Sequence, residues 1–455
     1  MAARFELTRE FIDDLKMLVS QNDEAGVFDR VKDLHPADIA ELYTGLNIDE
    51  AKYVYLLLDG DKAADVLAEL EEDDRERFLE ALPGEVIARQ FIENMDSDDA
   101  ADVIGDLSEE KKEEILQNID DLERAGEIVD LLSYDEDTAG GLMAKELIKV
   151  NENWDIETCI REIRKQASEV EEVYYAYVVD DNQILKGTIS LKRIMLARSN
   201  AKVKNIYKPD IILVNTDTDS EDVANLMDKY DIIALPVVDT IGRLMGRITI
   251  DDVVDVIKEE AERDYQLIAG ITEDVEPTDN ILVLTRARIP WLLIGLVGGI
   301  LGAQVIGLFE MEIKFDPRLA MFLPLILAMA GNAGVQSSSI VVQGLASKSI
   351  DLDSIWKKLL KEIAIALLIA TVFSALMLSY NLIFKSSIQL TLTVSSALFT
   401  VILFASVFGT FIPLILNRLK IDPALATGPF ITTMNDILGM FIYLGFGRFL
   451  YNMLG

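Results

Sequence analysis

Residues 424–445 read ALATGPFITTMNDILGMFIYLG, an apolar stretch with one charged residue, Asp436, near its middle. The stretch is long enough to cross a bilayer, since the hydrocarbon core takes about 20 residues of α-helix. A carboxylate at that depth costs about 2.5–3.5 kcal/mol on insertion scales, so such a residue is kept for a purpose. The stretch therefore predicts a membrane-spanning helix that carries a functional carboxylate.

Charge is divided unevenly along the 455 residues, whose formal net charge is −36. Residues 281–455 hold 8 acidic and 12 basic residues, which leaves 70 acidic and 30 basic residues in 1–280. Two physically different regions are therefore expected to join near residue 280. The strong acidic excess of the first region argues against nucleic acid as a partner, because phosphate is repelled, and it favours cations.

Cysteine and histidine are almost absent, since Cys159 and His35 are the only ones. One cysteine excludes an intrachain disulfide and a cysteine cluster for metal. The sequence has no phosphate-binding loop, no cluster of histidine ligands and no nucleophile paired with a base, so we do not expect an enzyme. Residues 1–7 contain no apolar signal segment, so the N-terminus is expected to stay in the cytosol.

The acidic region shows a change of pattern along its length. Residues 1–135 carry apolar residues at helical spacing, and residues 61–70 resemble residues 98–107, which predicts an all-α domain of stacked helix pairs. Residues 136–250 instead contain two copies of a β-α-β-β-α unit of about 60 residues. The predicted strands are 172–179, 184–190, 232–238 and 244–250. A long acidic helix from 251 to about 271 and a polar linker to 280 follow.

Five apolar spans are predicted in the membrane region, each of about 20 residues or more. Basic residues precede the first span and lie between the second and third and between the fourth and fifth. The positive-inside rule then puts the acidic region in the cytosol and the C-terminus outside. The predicted spans are 289–309, 319–346, 363–384, 390–416 and 424–446.

Small and polar residues interrupt the second span at Gly331, Asn332, Ala333 and Gly334, and three serines follow at 337–339. Such residues are poor partners for lipid, so we expect a broken helix whose carbonyls line a water-filled path. The alternative is a polar patch that holds helices together. One chain with five spans does not make an obvious pore, whereas a pore on a two-fold axis brings two copies of Asp436 face to face.

Two segments of the second copy resemble a CBS (cystathionine-β-synthase) domain, namely residues 230–239 and 246–252. The resemblance implies that Asp252, with Thr249 beside it, holds the ribose of ATP or another adenine nucleotide. In the first copy Arg193 stands where the corresponding Asp falls, which argues against a second nucleotide there.

The whole chain resembles the MgtE family of magnesium channels, most specifically in residues 324–336 and 422–439. The resemblance implies an acidic N domain (1–135), a CBS pair (136–250), a connecting plug helix with its linker (251–280) and a five-helix transmembrane domain (281–455). It also implies a homodimer in the bacterial cytoplasmic (inner) membrane that passes Mg²⁺ down its gradient and closes when cytosolic Mg²⁺ is high. The implied ion path holds Asp436, Gly331, Asn332, Ala333, Gly334, Thr433 and Asn435.

Carboxylates that meet Mg²⁺ are implied in the same way. They are Asp436, Asp422, Glu221, Asp231, Asp252, Asp255, Glu260 and Asp264, with Arg263 standing where a related member carries Glu. Arg263 either weakens a site there or replaces it with a salt bridge. In the N domain, Asp96, Asp98 and Asp99 either face the plug helix across a bridging ion or cap a helix and fill its first turn.

The chemistry of Mg²⁺ agrees with this set, because the ion prefers oxygen ligands, keeps most of its waters and avoids sites built from soft donors. Glu310, Glu312 and Asp316 either concentrate cations at the outer mouth or form a solvated loop. A carrier that exchanges a divalent ion for H⁺ or Na⁺ is the main alternative to a channel, because one buried carboxylate can also relay protons. A membrane-anchored sensor or enzyme is a third class.

Overall fold

The computed structural model describes residues 7–167, 170, 173–272, 275, 280–346, 355–426 and 428–454. The chain forms two compact units, Met1–Lys258 and Glu259–Gly455.

The first half of unit 1 is helical, as the apolar spacing predicts. An aromatic cluster fills its core, where the ring of Phe78 lies 5.3 Å from that of Tyr55 and 5.9 Å from that of Phe91. The helices are α1 (Arg9–Ser20), α2 (Glu24–Val31), α3 (Pro36–Ala40), α4 (Ile48–Tyr55), α5 (Gly60–Ala68), α6 (Glu72–Glu80), α7 (Gly84–Gln90), α8 (Ser97–Gly105), α9 (Glu109–Leu116) and α10 (Leu122–Leu131).

Side chains of one helix pair donate hydrogen bonds to backbone carbonyls of the preceding pair, which lie 29 to 32 residues earlier in the sequence. Lys62 Nζ donates to the carbonyl of Lys32 at 2.6 Å, and Lys111 Nζ donates to that of Leu82 at 2.7 Å. These carbonyls follow the ends of α2 and α6, where the helix leaves them without an internal partner. The repeated bonds explain why the pairs stack, although the repeats in the sequence are irregularly spaced.

The second half of unit 1 contains two three-stranded sheets with the predicted β-α-β-β-α order. In each sheet the first two strands are parallel and the last two antiparallel, in the orders β1-β2-β3 and β4-β5-β6. The first copy has β1 (Ile148–Asn151), α11 (Ile156–Gln166), β2 (Ala176–Val179), β3 (Leu185–Ile189) and α12 (Leu191–Leu196); the second has β4 (Val214–Asn215), α13 (Ser220–Tyr230), β5 (Ala234–Val238), β6 (Leu244–Thr249) and α14 (Ile250–Ala269).

Helix α14 is the predicted acidic helix, and the residue that follows it, Gly270, has a φ of +85°. A left-handed backbone of this kind favours glycine. Space also requires it, because a Cβ on Gly270 would lie 2.7 Å from Cγ of Pro429.

Unit 2 contains helices long and apolar enough to cross a membrane, five of them within the described residues. Each extends past its predicted span at one end or both, because polar and charged residues continue a helix past the hydrocarbon core; the third, for example, starts at Ile355 rather than at 363. The fifth, however, begins at Gly428 rather than at 424. The helices of this unit are α15 (Ile281–Leu308), the short α16 (Glu310–Phe315), α17 (Arg318–Ala346), α18 (Ile355–Ile383), α19 (Ile388–Arg418) and α20 (Gly428–Leu454).

The predicted break in the second span is wrong, because α17 runs without interruption through Gly331 and Gly334. A continuous helix bonds its own backbone groups, which a bilayer demands of any lipid-facing segment. The small residues serve close packing instead. The backbone carbonyls there belong to the helix, so the carbonyl-lined path expected from a broken helix is not formed by these residues.

Candidate functional site

Asp436 lies on α20 opposite the small residues of α17. It is half-buried within the single chain, and a Cβ built on Gly331 would lie 4.0 Å from its Oδ1. One turn further along α20, Gly439 approaches Ala330, with 3.3 Å between the built Cβ of the glycine and the Cβ of Ala330. The structure therefore brings together Asp436 and Gly331, which are 105 residues apart in the sequence, as the predicted path requires.

Asn435 faces a different part of α17 from its neighbour Asp436. A Cβ on Gly334 would lie 3.2 Å from Cγ of Asn435 and 2.9 Å from Cγ2 of Ile431. A Cβ on Gly409 of α19 would lie 3.0 Å from Cα of Gly334. Three helices thus meet at Gly334, and only 1 % of Asn435 is exposed.

The other residues of the predicted path, Thr433, Asn332 and Ala333, lie apart from the contact between Asp436 and Gly331. Thr433 packs against α15, where its Cβ lies 3.3 Å from a Cβ built on Gly298. Asn332 is exposed on the outer surface of the single chain, and Ala333 is half-buried. Asp422 is exposed in the loop before α20, and its Oδ1 accepts a hydrogen bond from the backbone N–H of Ala424 at 2.7 Å.

An acidic cluster in unit 1 forms around the start of α8. Asp96, Asp98 and Glu146 each place a carboxylate oxygen within 4.8 Å of the others. Asp96 precedes the first turn, but its carboxylate makes no capping hydrogen bond to that turn. Asp96 thus occupies the N-cap position that the capping interpretation predicts, but its side chain does not make the predicted capping hydrogen bond.

Glu146 was not a predicted site residue, because it reaches the cluster only through tertiary folding. The Ser97 hydroxyl donates to its Oε2 at 2.6 Å across 49 residues, and Arg124 Nη1 lies 3.3 Å from its Oε1. No local motif in the sequence marks this contact.

Electrostatic repulsion between its carboxylates destabilises this cluster. Burial, followed by the charges of Asp99 and Asp252, holds the pKa of Asp98 well above its usual value. Burial and the charge of Asp252 also raise the pKa of Asp99 to about 7. The start of α14 therefore faces the start of α8 with like charges, an arrangement that a divalent cation relieves.

Asp252, the predicted ribose ligand, already has partners in its own turn. Its Oδ2 accepts from the backbone N–H of Thr249 at 3.0 Å and from the Thr249 hydroxyl at 2.6 Å. The two residues predicted for nucleotide binding are thus adjacent. In the first copy, Arg193 Nη1 donates to the carbonyl of Ile206 at 3.0 Å.

The remaining predicted metal ligands are spread out. Glu221 and Asp231 lie at opposite ends of α13, about 15 Å apart at 1.5 Å of rise per residue, so one chain does not hold one ion with both. Asp255 is exposed on α14, and Asp264 is half-buried. Arg263 Nη1 lies 3.5 Å from Oε1 of Glu260, which is the salt bridge expected as one outcome of that substitution.

Glu310, Glu312 and Asp316, the acids between α15 and α17, are each paired with a basic residue. Asp316 is 6 % exposed and accepts from Arg318 Nη2 at 2.7 Å and from the Tyr451 hydroxyl at 2.6 Å. Glu312 lies 2.7 Å from Arg448, and Glu310 lies 2.6 Å from Lys314.

Comparison with known proteins agrees with this architecture in each region of the chain. The model of the MgtE divalent cation transporter family matches residues 323–446, that of the MgtE intracellular N domain matches residues 34–137, and the CBS domain model matches residues 139–200 and 203–259.

Relatives with similar sequences are magnesium transporters by name. The magnesium transporter MgtE of Thermus thermophilus is 33% identical over 439 residues, which cover 96% of this chain and 97% of that protein. The magnesium transporter MgtE of Bacillus subtilis is 32% identical over 315 residues, 69% of this chain and 70% of that protein.

A solved structure also resembles the acidic region. The cytosolic domain of the Mg²⁺ channel MgtE in complex with ATP is 35% identical with a TM-score of 0.51, and the match covers 54% of this chain and 99% of that one. With a helical N domain, a CBS pair, five membrane-length helices and relatives along nearly its whole length, the chain belongs to the MgtE family of divalent cation transporters.

Proposed function

We propose that this chain is a Mg²⁺ channel that admits Mg²⁺ passively into the cytosol and closes when cytosolic Mg²⁺ is high. The observation that carries the proposal is the position of Asp436, a half-buried carboxylate on a membrane helix, directly opposite Gly331. The absence of a side chain on Gly331 keeps that position from crowding the carboxylate further, since a Cβ there would lie 4.0 Å from its Oδ1. The names of the relatives support Mg²⁺ as the ion.

A second copy of the chain completes the path in this proposal. One carboxylate does not surround an ion, whereas two Asp436 side chains related by a two-fold axis bind a hydrated ion from both sides. Mg²⁺ releases its waters reluctantly, so carboxylates that hydrogen-bond to the water shell suit it. Thr433 and Asn332 lie on helices that flank this axis in the proposed homodimer.

The acidic cluster supplies the gate. Asp96, Asp98 and Asp99 face Asp252 with like charges, and this repulsion favours separation of α8 from α14 when Mg²⁺ is scarce. Mg²⁺ between the carboxylates removes the repulsion and favours the compact state. Glu221, Asp231, Asp255, Glu260, Asp264 and Asp422 are further acids in this scheme, with Glu260 weakened by its salt bridge to Arg263.

Replacement of the path carboxylate tests the proposal. Asp436→Ala is expected to abolish Mg²⁺-dependent growth of a bacterial strain that lacks its own Mg²⁺ transporters, at equal membrane expression. Glu310→Gln, which changes an exposed acid paired with Lys314 outside the path, is the matched control and should support growth. Wild-type growth with Asp436→Ala would remove this carboxylate from the mechanism.

A coupled carrier is the second candidate, because the same half-buried carboxylate can relay protons. The two mechanisms differ in their driving force. A channel current reverses at the Mg²⁺ equilibrium potential and is insensitive to pH and Na⁺. A reversal potential that follows the H⁺ or Na⁺ gradient identifies a carrier instead.

Adenine nucleotide is a proposed ligand of the CBS pair, with Asp252 and Thr249 as the ribose-binding residues. The support is the similarity to a cytosolic domain solved in complex with ATP and the adjacency of the two side chains. We further propose that the acidic region is cytosolic and that the protein resides in the bacterial cytoplasmic membrane with its C-terminus outside, in accord with the basic loops.

A further inference from the structure

Asn435 is a polar side chain whose surroundings leave its hydrogen-bonding groups unused. It is 1 % exposed within the single chain, and neither Oδ1 nor Nδ2 has a hydrogen-bond partner among the residues that the structure describes. Its amide packs against Gly334 of α17, at the point where α17 also meets Gly409 of α19.

Burial of the Asn435 amide without hydrogen-bond partners is energetically unfavourable in a membrane helix. A buried amide without partners destabilises the fold that contains it, and the bilayer around α17, α19 and α20 supplies no water in compensation. The contact with Gly334 is close, so the packing leaves little room around the amide. The protein nevertheless has this residue immediately before Asp436, although an apolar side chain would leave no hydrogen-bonding group unsatisfied.

Two hydroxyl groups near the crossing share the same condition. Ser338 lies one helical turn beyond Gly334 on α17 and is fully buried, and Thr410 follows Gly409 on α19 and is 2 % exposed. Their Oγ and Oγ1 atoms likewise have no hydrogen-bond partner among the described residues. Asn435, Ser338 and Thr410 thus place unsatisfied polar groups on all three helices that meet near Gly334.

We propose that the packing of Asn435 on Gly334 is one of two arrangements of α20, and that in the other the amide faces water beside Asp436 in the ion path. The inference rests on the proposed function, because it assigns the hydrated arrangement to the conducting state. The unsatisfied amide lowers the stability of the packed arrangement, so a modest bias from elsewhere in the protein is enough to shift α20. Asn435 is then a positioning residue of the gate.

Cysteine accessibility tests this directly, because Cys159 is the only native cysteine and is buried. In a Cys159→Ser background, Asn435→Cys in the full-length protein in lipid bilayers is treated with a membrane-impermeant thiol reagent. We expect modification with chelator present and protection in millimolar Mg²⁺. Leu444→Cys, at a fully buried apolar position of the same helix, is the control and should stay unmodified in both conditions.

The outcomes separate this inference from the proposed function. Modification at position 435 in both conditions supports a hydrated arrangement but contradicts gating by Mg²⁺. Absence of modification in both conditions overturns the inference, whatever the chain transports.

A second variant avoids dependence on a thiol. Asn435→Leu removes the unsatisfied amide, so it is expected to raise the midpoint of thermal unfolding while lowering Mg²⁺ flux about tenfold or more, since the packed arrangement gains stability. A purely structural role predicts that stability and flux change in the same direction. A lower midpoint, or wild-type flux with a raised midpoint, would overturn the inference.

Discussion

Two adjacent residues of α20 have opposite environments because of two glycines on α17. Asp436 lies beside Gly331 and stays half-buried, whereas Asn435 packs on Gly334 and is buried. Residues next to each other on a helix point about 100° apart, so the two side chains meet different faces of the neighbouring helix. Each glycine acts by lacking a side chain, which lets Thr432 and Asp436 approach Gly331 and lets Asn435 approach Gly334.

Gly334→Ala tests this contact. The added methyl group collides with Asn435 and Ile431, and overpacking of this kind typically costs about 1–3 kcal/mol, so the midpoint of thermal unfolding in detergent should fall. Gly295→Ala on α15 is the matched control, because a Cβ there meets nothing within 4 Å among the described residues. Alanine favours helix over glycine by up to about 1 kcal/mol, so the control should not lose stability. An equal change of the midpoint in both variants would contradict the role of the Gly334 contact in stability.

The sequence identifies Asp436 as an unusual residue but does not predict its surroundings. Asp436 is identifiable from its charge alone, since hydropathy places it inside a span. Its contact with Gly331, and the contact of Glu146 with Ser97, join distant segments, so no local pattern reports them. The burial of Asn435 is likewise not predictable from the sequence, because its neighbours in sequence do not determine which side of α20 faces α17.

Among the elements, α17 shows that the same residues favour different backbone structures in water and in a bilayer. Glycine, asparagine and serine in succession indicate irregular backbone in water, where solvent bonds the freed groups. In a bilayer the helix continues, because breaking it costs several kcal/mol per unsatisfied backbone group. Apolar length predicted the five long helices but not their ends, since α15 and α18 extend into polar residues at 281 and 355.

The starts of α17 and α19 and the end of α20 are linked through Asp316 and Arg318. It bonds Arg318 at the start of α17 and Tyr451 near the end of α20, and Arg318 Nη2 also donates to Ser387 before α19 at 3.2 Å. The hydrogen bonds from Arg318 are the first cause of the lowered pKa of Asp316, so this carboxylate stays charged and bonded at neutral pH. These bonds therefore hold together the starts of α17 and α19 and the end of α20.

Asp316→Asn is expected to lower the free energy of unfolding by about 1–3 kcal/mol, because it removes the charge of a buried carboxylate that accepts hydrogen bonds from Arg318 and Tyr451, while Arg318 itself is half exposed to solvent. Denaturant unfolding of the purified protein measures the change. Glu310→Gln is the control: its pair with Lys314 is exposed, and exposed pairs contribute about 0–1 kcal/mol. A similar small effect for both variants would contradict a structural role for Asp316.

For the whole molecule, the acidic excess of the first 280 residues destabilises the fold by repulsion and, in the proposed function, makes it sensitive to Mg²⁺. The helices of unit 1 bury a complete aromatic core, so the charge does not prevent folding. Repulsion is concentrated instead where α8 meets α14, at Asp98, Asp99 and Asp252. Protons and divalent cations both relieve this repulsion, so either is expected to favour the compact state of the acidic region.

Stability of this region should therefore depend on pH in a definite direction. A raised pKa means that the folded state holds its proton more tightly than the unfolded state, so the contribution to stability is complete below a pH of about 4 and is lost as pH rises through about 7, the pKa of Asp99. With chelator present, proteolysis of the full-length protein should accelerate between pH 5.5 and 8, as roughly bracketed by these values.

Mg²⁺ should restore protection at the higher pH. The double variant Asp98→Asn, Asp99→Asn should be protected without Mg²⁺ and respond weakly to it, because its repulsion is already absent. Glu109→Gln, which changes an exposed acid on α9, should behave as wild type. Proteolysis that is insensitive to both pH and Mg²⁺ would contradict a sensing role for the cluster.

The most direct measurement is the Mg²⁺ current through the full-length protein in a lipid bilayer while Mg²⁺ on the cytosolic side is raised from micromolar to millimolar. We expect a current at low Mg²⁺ that falls as the concentration rises, and no current for Asp436→Ala at any concentration. A current that Asp436→Ala carries as well as wild type does would contradict a channel built around this carboxylate.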